Sequence, residues 1–119
     1  MSTDQQIEQE IQTKGLTAPR VTPADIEANI RAETYFTAFD GFMADDRDMT
    51  MQDTDALKLL TFCVLVLRNG FTVTGESACA SAENFDAEIG RKIARQNAVE
   101  KIWPLLGFAL KERLYAEGG

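Results

Sequence analysis

The sequence predicts an α+β fold: one β-hairpin, about residues 61–67 and 71–75, packed by a kinked C-terminal helix pair, about 85–103 and 105–116, and by a capped N-terminal helix, about 23–34. Three observations predict it. Asn69-Gly70 separates two strand-like runs, "TFCVLVL" and "FTVTG", the strongest short-range hairpin pattern. The last third of the chain carries apolar residues at helical spacing. "VTPAD", residues 21–25, has the chemistry of a helix start.

Taken in order, residues 4–13 place Ile7 and Ile11 four apart among acids, a short amphipathic helix that Gly15 can cap. Such a helix is too short to persist alone, so it docks or frays. Residues 1–20 are therefore expected to be a helix and linker able to move, and 21–119 a single globular domain. In the next helix Thr22 is the N-cap, Pro23 the first helical residue and Asp25 the third, with Val21 and Ile26 placed to staple it. Tyr35, Phe36, Phe39 and Phe42 follow, read as a helix end tucked into the core, with a ligand-stacking box as the alternative. Residues 44–56 show no periodic pattern and are expected to be a solvated loop.

A two-residue type I′ turn at 69–70 would set Arg68 opposite Phe71, Leu67 opposite Thr72 and Val66 opposite Val73. The first strand is expected to be buried on both faces, and the second to point Phe71, Val73 and Gly75 inward. Ser81 or Asn84 can cap the long helix, with Asp86 and Glu88 complementing its dipole. Its expected core stripe is Ile89, Ile93, Ala94, Ala98, Ile102 and Leu105, with Gly90 permitting close approach. Pro104 is expected to break the helix, and Leu106, Leu110 and Leu114 to continue the apolar face.

Composition narrows the function. Twelve Lys and Arg against nineteen Asp and Glu give a net charge of −7, which argues against general nucleic-acid binding and against anionic membrane surfaces. Six acids lie between Asp40 and Asp55 against one base, Arg47. Asp45, Asp46, Asp48 and Asp53 do not match the spacing of a calcium loop. The chain has no histidine, which removes the commonest general base and metal ligand. Cys63 and Cys79 form no metal or redox motif and read as reduced, partly buried thiols. No run is long enough to span a bilayer and no secretory leader is evident, so a soluble, intracellular protein is expected.

The candidate binding residues cluster around the loop after the hairpin. Glu76, Ser77, Cys79 and Asn84 precede the long helix, and Arg91, Lys92 and Arg95 follow within three turns. A helix start and nearby cations could hold a phosphate or nucleotide. The competing reading is that the loop residues are caps and the cations a solvated face. Asn97 near the apolar face either bonds to strand or loop backbone or reads a ligand. Trp103 is expected to anchor the core. Cys79 as a nucleophile would have to be activated by Lys or Arg alone. No catalytic residue, metal or cofactor is expected.

Several short motifs resemble one family. Asn69-Gly70-Phe71, Gly75-Glu76-Ser77, Asn84-Phe85-Asp86, the set Gly90, Ile93, Ala94, Asn97 and Ala98, and Lys101-Ile102-Trp103 together resemble the small tailed-phage and prophage proteins of the gene product 49 and gene 66 family. The likeness runs from about Val21 to Leu114. Leu106 departs from the family pattern, which places Glu before Gly-Tyr, so no role for that acid is carried over. The resemblance implies a phage origin and no activity. The expected function is a non-enzymatic phage accessory protein in the host cell cytoplasm that binds a host or phage protein. The alternative is a module that sequesters a small anionic ligand such as a nucleotide. Pairing with a second copy of the chain is a further expectation.

Overall fold

The computed structural model describes residues 3–45 and 54–118. Its elements are α1 (Thr3–Thr13), α2 (Pro23–Asn29), β1 (Ile30–Thr37), α3 (Ala38–Asp45), α4 (Thr54–Leu57), β2 (Leu60–Leu67), β3 (Thr72–Ala78), a 3-10 turn (Ala82–Asn84), α5 (Ala87–Glu100) and α6 (Ile102–Ala116). The three strands form an antiparallel sheet in the order β1-β2-β3, and α5 packs across β2 and β3. The architecture is α+β, as the sequence predicts.

Both anticipated caps are present. Gly15 takes φ +69°, its N–H bonds the Gln12 carbonyl and the Leu16 N–H bonds the Ile11 carbonyl, the Schellman pattern that closes α1. Thr22 and Asp25 exchange side-chain and backbone bonds of 2.9 and 3.1 Å across the start of α2. A second capping box, Thr37 with Asp40, starts α3 in the same way.

α2 ends at Asn29 rather than near Thr34, and the chain continues as a third strand that the sequence reading did not include. Tyr35 and Phe36 suit a pleated surface. The edge of β2 offers backbone partners that outweigh the short helical period before them. Arg31 is the extra residue of a bulge, since Ile30 pairs with Leu67 and Ala32 with Val66. The aromatic cluster is therefore divided: Tyr35 and Phe36 lie in β1, Phe39 and Phe42 in α3. The expected loop at 44–56 is helical at both described ends, in α3 and α4. Asp46, Arg47, Asp48 and Asp53 lie outside the described residues.

The hairpin reverses where Asn-Gly predicts, by a different turn. Gly70 (φ +93°) donates to the Leu67 carbonyl at 2.9 Å, and the Leu67 N–H reaches the Phe71 carbonyl at 2.8 Å. Arg68, Asn69 and Gly70 thus form a three-residue loop with glycine in the left-handed position. The register moves by one: Val66 faces Thr72, Leu65 faces Val73 and Cys63 faces Gly75. Val73 and Gly75 point inward as expected, while Phe71 lies outside the ladder and is 55% exposed. β2 is buried on one face only. Thr61, Cys63, Leu65 and Leu67 are buried and alternate with half-buried Phe62, Val64 and Val66.

The C-terminal helix breaks at Lys101, three residues before the proline. A proline ring collides with the carbonyl four residues earlier, here Glu100, and α5 ends there. Pro104 itself is the third residue of α6, within the first turn where N–H groups have no helical partner. The buried stripe of α5 is Gly90, Ala94 and Ala98, continued by Ile102. Ile89, Ile93 and Leu105 are exposed, contrary to the expected stripe, because the small residues are what let α5 reach the sheet. Asp86 caps α5 through the Ile89 N–H at 3.0 Å, in place of Ser81 or Asn84.

Ile26, Cys63, Leu65, Leu67, Val73, Ala94, Ala98 and Ile102 form the core, flanked by Val21, Tyr35, Trp103 and Leu106. The molecule measures 59 × 29 × 17 Å, with a radius of gyration of 18.4 Å. A compact chain of this length would give about 13.5 Å. The elongation accords with α1 burying no residue and α6 burying only Ile102.

Candidate functional site

The eight sequence-predicted residues do not converge. Glu76 and Ser77 lie in β3, and the Asn97 side-chain amide donates to the Glu76 carbonyl at 2.8 Å, tying α5 to the strand. The Cys79 thiol bonds the Ser81 carbonyl at 3.1 Å, and Asn84 is an exposed residue of the 3-10 turn. The Asp86 carboxylate already occupies the start of α5, where an incoming anion would have to bind. Arg91 is exposed, and Lys92 pairs with Glu88 one turn back.

Arg95 lies on the same side of α5 as Lys92 and reaches toward α2 and β1. Its guanidinium bonds both Glu27 oxygens, at 2.8 and 3.1 Å, and Glu33 at 2.7 Å, joining α5 to α2 and β1. This bond set holds the Glu27 carboxyl below its usual range and raises Arg95 further. Burial, with Cys63 and Glu33 adding, pushes Tyr35 up to about 12. Burial likewise raises the Cys63 thiol, which keeps it protonated and unreactive. Lys92 and Arg95 line one groove of about 670 Å³ with Pro23, Ile26, Val99 and Trp103. Arg95 is thus engaged within the protein. Among the described residues, no group of three or more His, Cys, Asp or Glu side chains could hold a metal ion, and no helix is long and apolar enough to cross a membrane.

α1 is fastened by Arg20, whose guanidinium bonds both oxygens of Glu8, one at 2.7 Å. These bonds first, then Gln12, lower the Glu8 carboxyl from 4.5 to about 2. A depressed folded value means that the pair contributes fully above about pH 4.5 and is lost as pH falls toward about 2. We expect the amide signals of α1 to show loosening across that window while those of the sheet stay in place. In the Glu8→Gln variant, α1 should lack this pH dependence; an unchanged profile would contradict the assignment.

The residues that the sequence reading missed lie on α6 and the hairpin tip. Leu105, Phe108 and Tyr115 are 37%, 69% and 76% exposed, and their spacing of three and seven residues puts them along one side of α6. Leu105 and Phe71 also line a groove of about 370 Å³ with Leu67, Leu106 and Ala109, and with Arg68 and Asn69. The sequence does hold a trace of this surface. "LLGFAL" at 105–110 is apolar on more sides than a helix covered on one face requires.

The described arrangement defines a small α+β protein whose exposed features are apolar helix and turn surfaces rather than a cluster of reactive groups. Residues 21–114 match the Phage protein (N4 Gp49/phage Sf6 gene 66) family, and the chain belongs to that family. No curated protein and no solved structure matches it.

Proposed function

We propose that this phage-family protein is a non-enzymatic accessory factor that acts in the host cell cytoplasm by binding another protein, of host or phage origin. The observation that carries this reading is the exposed row Leu105, Phe108 and Tyr115 along one side of α6, with Phe71 sharing a groove with Leu105 at its start. Large apolar groups gathered on one surface mark sites that a partner covers, and aromatic residues dominate the energetics of such interfaces. The hairpin tip and the first turns of α6 adjoin, through Leu67, Phe71, Leu105 and Leu106. The net charge of −7 makes a basic partner surface the favoured encounter. Sequestering of a nucleotide by the 75–86 loop has less support, since Asp86 fills the helix start and Arg95 is bound to two carboxylates.

The test is affinity capture from host lysate with and without phage infection, comparing the natural chain with Phe108→Glu. Because Phe108 is exposed, the variant should fold normally and lose its partner at least tenfold. Equal recovery by both proteins, or no discrete partner in either lysate, would refute the assignment to this surface.

A further inference from the structure

The side of the sheet away from α5 has an unusual composition. Register and alternation place Ala32, Thr34 and Phe36 of β1, Phe62, Val64 and Val66 of β2, and Thr72, Thr74 and Glu76 of β3 on that side. Glu76 is the one charged residue among these nine, in a chain of which 26% is charged, and the exposed bulge residue Arg31 adds one charge of opposite sign at the end of β1. None is fully buried, and Phe36 stacks on Phe62 with ring centroids 5.5 Å apart. A sheet face meant for water normally alternates core residues with charged ones; this face carries threonine, valine and phenylalanine instead.

We propose that this face is where two copies of the chain meet, sheet against sheet. Charge selects the occupant. Two molecules of net charge −7 repel wherever their acidic surfaces approach, and a nearly uncharged sheet face lets like copies come together. Such a face is also complementary to itself, as a two-fold interface requires. Twisted sheets pack in this manner about 10 Å apart, with side chains from both faces interleaving. The resulting dimer is four layers deep, α5 outermost on each side. It leaves Phe71 and Phe108 free, so this pairing is independent of the binding surface proposed above.

Three strands of seven or eight residues present a face of roughly 14 by 23 Å. This is small against the ~800 Å² that each partner contributes to a standard interface. The association is therefore concentration-dependent.

Sedimentation velocity of the full chain, over a series from micromolar to near-millimolar concentration, tests the proposal. The natural protein is expected to shift from monomer to dimer, and Thr74→Lys to weaken that shift at least tenfold. Thr34→Lys is the second variant. Both threonines are exposed, so neither change disturbs the core, and an unaltered circular dichroism melt verifies the fold. A chain that stays monomeric throughout, or a dimer that survives both lysines, would overturn the proposal. Phe108→Glu should leave the dimer intact, so loss of the partner surface and loss of self-association read out separately.

Discussion

Gly75→Ala should lower the free energy of unfolding by about 3 kcal/mol, the upper part of the usual range for overpacking. A Cβ at this position would stand 2.2 Å from the Ala94 carbonyl oxygen and 2.3 Å from the Ala98 nitrogen. Both are backbone atoms of α5, which cannot rotate aside, so the helix must lift from β3 or the strand must bend. Lifting the helix also draws Ala94, Ala98 and Ile102 away from the core. Gly107 is the internal comparison. Nothing lies within 4 Å of a Cβ added there, and its place inside α6 makes Gly107→Ala stabilising by about 0.4–1 kcal/mol. Urea midpoints at constant m-value measure both. A loss below 1 kcal/mol for Gly75→Ala would mean that α5 does not rest on the strand as described.

Leu65→Ala should be of similar size, about 3 kcal/mol, by the opposite fault. Leu65 is fully buried in the central strand, opposite Val73 and under α5. Its truncation removes apolar burial and leaves a cavity between two rigid layers. Its neighbour Val64 points to the other side of the sheet and is half-buried, so Val64→Ala should cost less than half as much. Comparable losses at the two positions would contradict the one-sided burial of β2.

These two residues also mark how far the sequence could be read. The hairpin, the long amphipathic helix and the Thr22 cap were legible because each rests on local chemistry: a glycine-bearing turn, a period of apolar residues, a hydroxyl three residues before a carboxylate. β1 was not, because Ile30–Thr37 becomes a strand only by pairing with β2, a partner some thirty residues away. The turn's location was legible but its register was not; two- and three-residue loops both use Asn-Gly, and their difference moves every cross-strand pair by one. The buried stripe is legible at Ala94, Ala98 and Ile102, with Gly90 as the point of close approach; Ile89 and Ile93 read as core by their hydrophobicity, whereas close backbone approach selects for smallness and leaves them exposed. Pro104 marks the helix break in the sequence, yet its ring acts on the carbonyl four residues earlier, so α5 ends at Glu100.

The candidate site was less legible than the fold. Asn97 does bond to strand backbone, one of its two sequence readings. Spacing along one helix groups the cations near the loop, yet Arg95 turns toward Glu27 and Glu33 on elements far away in sequence. The exposure of Phe108 leaves only the trace in the apolar run 105–110, since an apolar residue on an apolar helix is ordinarily core.

The most direct measurement is site-specific photocrosslinking from position 108 during infection, with a photoreactive residue at exposed Glu83 as the control. A single discrete crosslinked protein from position 108, and none from position 83, is the outcome predicted for a chain that works by presenting α6 to a partner. Silence at 108, or the same product from both positions, would contradict it.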